Sequence, residues 1–304
     1  MEVLCFHRAY FKAGDIMTKK VAVINDLSGF GKCSLTVAIP VLSVMGIQPC
    51  PVPTAVLTNQ TGFEHYHCVD MTEHIKHYAD IWKKNNEIFD GIYSGYVANK
   101  QQVDIIADFI KTFRKSNTKV LVDPVMGDNG QIYTTYTKDT CEKMCELAKT
   151  ADTITPNLTE LCIIADTDYN ELTKKATDSN YFEKLSEIAQ TVIAHQEQNI
   201  VVTGILKDSY IYNAVFSKKE STFIKSEAYG YSFSGTGDLF ASILCGYMVN
   251  DIDIISAVDK ASNFIATSIK DTIQNPFDRN YGIDFEKYLY TLSERGSYFD
   301  QTQN

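Results

Sequence analysis

A glycine-rich turn at residues 235–238 carries the residues of this sequence that are best suited to chemistry. Gly235, Thr236 and Gly237 lead directly into Asp238, and apolar residues at helical spacing follow. Glycine permits positive φ angles and lets a ligand approach the backbone closely. A helix that begins here points its unpaired N–H groups, and the positive end of its dipole, at the space before the turn. We therefore expect an anion site suited to a phosphoryl group in transfer, with Asp238 placed to take a proton from an attacking hydroxyl.

A Gly-Thr-Gly-Asp turn alone is equally typical of an ordinary loop before a helix, so other parts of the chain must distinguish an anion site from such a loop. Further polar residues follow the predicted strands. By length and β-branching, six short apolar runs are predicted strands: residues 21–25, 51–57, 88–93, 119–122, 153–155 and 199–203. Chemically capable residues end or follow all six strands: Asp26, Thr61, Tyr96, Asp123, Asp128, Asn157, Glu160 and Thr203.

The order of the predicted elements indicates an α/β fold. Helical patterns separate most of the strands, and residues 208–226 alternate as in an antiparallel hairpin. Strands that are apolar on both faces indicate a mostly parallel sheet with helices covering both sides. Ligands bind beyond the carboxyl ends of such strands. We therefore expect the polar residues and the glycine-rich turn to meet at one edge of the sheet.

Composition and charge narrow the possible partners. The 304-residue chain has a formal net charge of −10, which argues against nucleic acids and anionic membranes as partners. No apolar run approaches the roughly 20 residues needed to cross a bilayer. The eight cysteines are scattered without a Cys-x-x-Cys pair, which favours reduced thiols in a cytoplasmic protein. Residues 1–16 are predicted to be a flexible extension, and residues 17–304 to form one domain.

Six motifs occur in a fixed order along the chain: N-D-L-S-G-F-G, T-N-Q-T-G, S-G-Y, D-P-V-M-G-D, T-P-N-L-T-E and S-G-T-G-D. Their combination resembles the ribokinase-like kinases and, among these, the pyridoxal kinases, including the bacterial group described as pyridoxamine kinases. The resemblance implies a three-layer α/β/α sandwich around a mostly parallel sheet. It also implies transfer of the γ-phosphoryl group of ATP to the 5′-hydroxymethyl group of pyridoxal, pyridoxine or pyridoxamine. ATP, Mg²⁺ and a monovalent cation such as K⁺ are the implied cofactors, and a cytoplasmic homodimer is the implied assembly.

The resemblance also implies a role for each matching residue. Asp238 corresponds to the catalytic base, and the backbone of Gly235, Thr236 and Gly237 corresponds to the anion hole. The pyridine ring would contact Asp26, Thr61 and Tyr96. ATP would be bound by residues at the other strand ends: Asp123, Asp128, Tyr133, Thr155, Asn157, Glu160 and Thr203. Of these, Asp123 and Glu160 would serve the metal through water, and residues 127–133 would form a mobile flap over ATP.

Two residues and two alternative functions need separate comment. Asp26 occupies a position where many pyridoxal kinases have serine, and we hypothesise that its carboxylate changes the preference among the B6 vitamers or related pyrimidines. Asp238 is expected to stay ionised, without strong basicity, because it lies at a helix N-terminus. The nearest alternative function is a hydroxymethylpyrimidine kinase of thiamine synthesis, which shares the fold and the glycine-rich turn. A non-catalytic regulatory protein that binds vitamin B6 is a second alternative, although the intact Asp238 and Glu160 argue against it.

Overall fold

The structure of this protein, a computed structural model, describes residues 18–293. The predicted extension at residues 1–16 lies outside the described residues, as do residue 17 and residues 294–304 of the predicted domain.

The described residues contain one nine-stranded sheet and one two-stranded hairpin. The strands are β1 (Lys20–Ser28), β2 (Gln48–Leu57), β3 (Cys68–Asp70), β4 (Gly91–Ser94), β5 (Lys119–Val122), β6 (Gly127–Asp128), β7 (Gln131–Ile132), β8 (Thr153–Ile154), β9 (Asn199–Lys207), β10 (Tyr210–Phe216) and β11 (Ser221–Glu227). The sheet order is β11-β10-β9-β8-β5-β4-β1-β2-β3. The six strands from β9 to β2 pair in parallel, whereas β3, β10 and β11 are antiparallel additions at the two edges.

Helices cover both faces of this sheet. They are α1 (Ser34–Val44), α2 (Thr72–Lys84), α3 (Lys100–Phe113), α4 (Lys138–Ala148), α5 (Leu158–Ile164), α6 (Tyr169–Thr173), α7 (Tyr181–Val192), α8 (Thr236–Val249) and α9 (Ile254–Thr272), with short 3₁₀ helices at Arg279–Tyr281 and Glu286–Leu292. None of the helices within residues 18–293 combines the length and the apolar character needed to cross a bilayer.

Two separate hydrophobic cores confirm the predicted three layers. In β1, Val21 and Val23 pack with residues of α1 and α8, whereas Ala22 and Ile24 pack with residues of α3 on the opposite face. Successive side chains of a strand point to opposite faces, so a strand buried between two helix layers must be apolar at every position. Burial between two helix layers therefore explains the continuous apolar run at residues 21–24 of β1.

The strand order reverses between β1 and β4, where we expect a crevice beyond the carboxyl ends of the strands. From β1 the chain moves to β2 on one side, and it later returns to β4 on the other side. The loop after β1 leads into α1, and the loop after β4 leads into α3, so the two loops diverge to opposite faces of the sheet. In open parallel sheets, ligands bind at such a reversal of strand order, beyond the carboxyl ends of the strands.

Candidate active site

The glycine-rich turn has a backbone conformation that favours glycine. Gly235 is the N-cap residue of α8 and has φ 78° and ψ 0°, in the left-handed region. A Cβ atom at this position would lie 2.1 Å from the carbonyl oxygen of Lys32 and 3.1 Å from the Cα of Cys33. Gly237, in contrast, is exposed and has no neighbouring atom within 4 Å of its ideal Cβ position. The turn therefore packs tightly against the loop after β1, and open space remains beside Gly237.

Asp238 lies in the first turn of α8 and is half-buried. The side-chain Nδ2 of Asn25 donates a hydrogen bond to its Oδ1 at 3.2 Å. Burial, followed by the nearby carboxylate of Asp26, raises the pKa of Asp238 to about 6, although hydrogen bonds from Ser34 and Asn25 oppose this rise. The sequence predicted a less basic carboxylate. Desolvation outweighs the helix dipole here, and the resulting base is still mainly ionised at neutral pH.

Asp26 is buried within β1 and is 6% exposed. The hydroxyl of Ser28 donates to its Oδ2 at 2.8 Å, and the hydroxyl of Ser34 donates to its Oδ1. Burial raises the pKa of Asp26, whereas the two hydroxyl donors lower it. Both oxygens therefore already have partners, and direct contact between Asp26 and a pyridine ring stays a prediction.

The other two residues predicted to contact the substrate lie in the loops after β4 and β2. Tyr96 is half-buried, its N–H donates to the side-chain oxygen of Asn25 at 2.9 Å, and burial raises its pKa to about 12. Thr61 is exposed in the loop after β2. Its neighbour Gln60 donates from Nε2 to the Ser234 hydroxyl at 3.3 Å, so this loop contacts the glycine-rich turn.

Asn157 and Glu160 form a reciprocal cap at the start of α5. The Glu160 N–H donates to Asn157 Oδ1 at 3.0 Å, and the Asn157 N–H donates to Glu160 Oε2 at 2.8 Å. The second carboxylate oxygen, Oε1, accepts the N–H of Met126 at 3.0 Å, while Asn157 Nδ2 donates to the Gly127 carbonyl at 2.8 Å. The cap thus also fixes the loop after β5, which contains the Asp-Pro-Val-Met-Gly-Asp motif.

Asp123 and Glu160 are two buried carboxylates, with 7% and 4% of their surfaces exposed. Burial raises the pKa of both groups; the charge of Asp238 adds to this effect at Asp123, and the charge of Asp123 adds to it at Glu160. The hydroxyl of Thr155 is also buried and has no hydrogen-bond partner among the described residues. This set of donors fits Mg²⁺, which prefers oxygen ligands, keeps several waters and bridges phosphates.

The predicted flap at residues 127–133 contains the β6–β7 hairpin. Asn129 and Gly130 occupy its turn with φ 51° and φ 76°, and two positive φ angles are typical of a type I′ turn. Asp128 is exposed on this hairpin, and Tyr133, 42% exposed, follows it. Burial, followed by the charges of Glu160 and Asp128, raises the pKa of Tyr133, so the tyrosine lies near both acids. Mobility of the flap stays a prediction.

Thr203 marks an irregularity inside β9. The sequence predicted that this strand ends at Thr203, but β9 continues to Lys207. A register shift opposite β10 and a φ of 68° at Gly204 indicate a bulge at this point. Thr203 also forms an isolated parallel bridge with Asn157, so the bulge places it beside the cap of α5.

The sequence reasoning missed two side chains near Asp238. Asn25 directly precedes Asp26 and is completely buried. Ser34 has an unusual positive φ of 50° and donates to Asp26. For Asn25 the available signal was a polar residue that ends an otherwise apolar strand. For Ser34 the sequence contained no signal, since its backbone conformation depends on the loop after β1.

This fold and this arrangement of strand ends around a glycine-rich turn define a ribokinase-like kinase. A family model described as phosphomethylpyrimidine kinase matches residues 38–281, and the chain belongs to this family. 

Three similar proteins show how far the likeness extends. The chain is 35% identical to a Bacteroides thetaiotaomicron protein that is provisionally named a phosphomethylpyrimidine kinase and whose crystal structure was solved with pyridoxal. The two structures superpose with a TM-score of 0.83, and the match covers 90% of this chain and 96% of that one. Pyridoxal kinase from Lactobacillus plantarum has a TM-score of 0.82 at 23% identity, covering 94% and 99% of the two chains. A pyridoxine/pyridoxal/pyridoxamine kinase of Bordetella avium is 21% identical over 272 residues, which are 86% of this chain and 88% of that protein.

Proposed function

We propose that this protein transfers the γ-phosphoryl group of ATP to the 5′-hydroxymethyl group of the vitamin B6 vitamers pyridoxal, pyridoxine and pyridoxamine. One observation supports the proposal: the side chain of Asn25 hydrogen-bonds both the carboxylate of Asp238 and the backbone N–H of Tyr96, so these two predicted site residues lie close together. The 35% identical Bacteroides protein, solved with pyridoxal, supports the choice of substrate.

The proposed chemistry needs a base, an anion site and charge neutralisation. Asp238 accepts the proton of the hydroxymethyl group while the alcohol oxygen bonds to the γ-phosphorus, and the bond between that phosphorus and the oxygen of ADP breaks. The backbone N–H groups at the start of α8 bind the oxygens of the transferred group. This step depends on alignment more than on covalent chemistry, so a carboxylate with a pKa of about 6 is a sufficient base.

Nucleotide and metal would lie on the side of β5, β8 and β9. Mg²⁺ would be held through water by Asp123 and Glu160, and it would neutralise charge on the phosphates. ATP would contact Asp128, Tyr133, Thr155, Asn157 and Thr203. A monovalent cation such as K⁺, a homodimer, one kinase domain at residues 17–304 and a cytoplasmic location complete the proposal. Seven cysteines among the described residues are free thiols, which supports that location.

A substrate panel tests this function. Release of ADP is measured with Mg·ATP and each of pyridoxal, pyridoxine, pyridoxamine and hydroxymethylpyrimidine. We expect turnover with at least one B6 vitamer at a kcat/KM above that for hydroxymethylpyrimidine. Hydroxymethylpyrimidine is the substrate of the nearest alternative function, and a reversed preference would overturn the proposal. Binding of vitamers without ADP release would indicate the regulatory alternative.

Asp238→Ala is the control for the chemical step. Loss of a positioned base should lower kcat by roughly 10²-fold or more, with a near-normal Kd for ATP. Isothermal titration with a non-hydrolysable ATP analogue measures that affinity. A variant that keeps more than half of the wild-type kcat would remove Asp238 from the proposed mechanism.

A further inference from the structure

Asn25 connects three parts of the candidate site. Its side chain is completely buried at the carboxyl end of β1. Nδ2 donates to Oδ1 of Asp238 at 3.2 Å, and Oδ1 accepts the backbone N–H groups of Tyr96 at 2.9 Å and Asp26 at 3.0 Å. One amide group therefore links the glycine-rich turn to the backbone of β1 and to the loop after β4.

The two backbone donors fix the orientation of this amide. An amide oxygen only accepts hydrogen bonds and an amide nitrogen only donates them. Since the N–H groups of Tyr96 and Asp26 point at the same atom, that atom must be the oxygen, and the NH₂ group must face Asp238. Gly95 provides the space: a Cβ there would lie 2.4 Å from Asn25 Nδ2.

We propose that Asn25 is a positioning residue, which orients the carboxylate of Asp238 toward the alcohol and ties that orientation to the backbone that surrounds the substrate. The proposal rests on the proposed function, because the orientation matters only if Asp238 takes a proton from an alcohol. Asn25 is fully buried and does not itself contact the substrate. Its loss should therefore slow the chemical step without weakening the binding of either substrate.

The charges around Asp238 explain why a neutral donor is needed there. The acids Asp26 and Asp123 interact with Asp238 from β1 and from the end of β5. Burial, followed by the nearby carboxylate of Asp26, raises the pKa of Asp238, and hydrogen bonds from Ser34 oppose this rise together with the hydrogen bond from Asn25. The Asn25 NH₂ group attracts one carboxylate oxygen and so opposes rotation of the carboxylate away from the crevice.

Asn25→Asp is the most direct test. Aspartate keeps the size of the side chain and an oxygen for the two backbone N–H groups, but it replaces the donor to Asp238 with a second acceptor. We expect kcat to fall by about 10²-fold, as for a misplacement of about 1 Å at a reacting group. The Kd values for pyridoxal and for a non-hydrolysable ATP analogue should stay within about threefold of wild type.

Gln198→Glu is the matched control. Gln198 is another buried amide, 1% exposed; its Oε1 accepts the N–H of Ala194 at 2.8 Å, and its Nε2 donates to the carbonyls of Ala148 and Ala151. The exchange of amide for acid costs stability at either site, which thermal unfolding measures. Only Asn25→Asp should also lower kcat, whereas Gln198→Glu should stay within about twofold of the wild-type value.

A double-mutant cycle decides whether Asn25 acts through Asp238. In the Asp238→Ala background, Asn25→Asp should lower the residual rate by less than about threefold, because residues that act as a unit are not additive. A full loss in that background would overturn the proposal, as would weaker substrate binding at an unchanged kcat. Gly95→Ala, which presses on the amide without changing Asn25, gives an independent variant and should lower kcat in the same way.

The wild-type substrate panel keeps the two proposals distinguishable. If only hydroxymethylpyrimidine is phosphorylated, the B6 assignment fails. The kcat values of the Asn25 variants relative to wild type, measured with hydroxymethylpyrimidine, then decide the role of Asn25. If no alcohol is phosphorylated, both proposals are overturned.

Discussion

Gly235→Ala should damage the glycine-rich turn more than any other single methyl group added there. The new Cβ would lie 2.1 Å from the Lys32 carbonyl oxygen. The Cβ is fixed to the backbone of the turn and the oxygen belongs to the backbone of the facing loop, so no side-chain rotation can relieve this contact. A left-handed φ costs a non-glycine residue roughly 1–2 kcal/mol. Overpacking of a tight contact adds about 1–3 kcal/mol. We therefore expect the free energy of unfolding to fall by about 3 kcal/mol, with a Tm lower by about 5 °C.

The same substitution should reduce activity far more than stability. To restore a normal contact, the turn has to move by about 1 Å relative to the loop after β1, which carries the backbone N–H groups of α8 away from the phosphoryl group. A displacement of this size costs about 10²-fold in rate. ADP release under saturating substrates measures kcat, and thermal unfolding by circular dichroism measures stability.

Gly230→Ala separates backbone strain from the steric clash. Gly230 has a similar φ of 74°, but no atom lies within 4 Å of its ideal Cβ position. This control should lose only the roughly 1–2 kcal/mol of the left-handed conformation and keep kcat within about twofold. If Gly235→Ala resembles Gly230→Ala in both measurements, the turn does not depend on its contact with Lys32, and the reasoning is refuted.

Three further predictions concern the acids of the site. Because Asp238 must be ionised to act as a base, kcat/KM should fall on the acid side with an apparent pKa of about 6. Asp26→Ser removes a carboxylate that raises the pKa of Asp238, so the acid limb should move to lower pH. An acid limb that does not move would contradict the assignment of Asp238 as the base. Unchanged kcat/KM ratios among the vitamers would show that Asp26 does not select the substrate. Glu160→Gln should raise the Mg²⁺ concentration for half-maximal activity by about tenfold at a constant Kd for pyridoxal, and an unchanged Mg²⁺ dependence would exclude Glu160 from metal binding.

The sequence predicted the layers of the fold because buried parallel strands have a simple pattern. Apolar runs with chemically capable residues at their ends can be recognised one strand at a time, without knowledge of their neighbours. The short strands β3, β6 and β7 were missed, because their residues are mostly exposed and form no apolar run, unlike the equally short but buried β8. The contact between Asn25 and Asp238 was also missed: it joins residues 213 positions apart, and no local pattern encodes it.

The segment after residue 275 was difficult to interpret because many of its contacts are made by its backbone, beside the ion pairs of Asp284 and Glu286 with Lys32. The carbonyl of Arg279 accepts the N–H of Ser234 at 3.1 Å, and the carbonyl of Asn280 accepts Nε2 of Gln60 at 3.2 Å. Further along, the Ile283 carbonyl accepts Nζ of Lys32 at 3.2 Å. These carbonyls hold the loops after β1 and β2 against the residue that precedes Gly235. Since every residue type carries the same carbonyl group, side-chain patterns could not reveal these contacts between the polar segment and the glycine-rich turn.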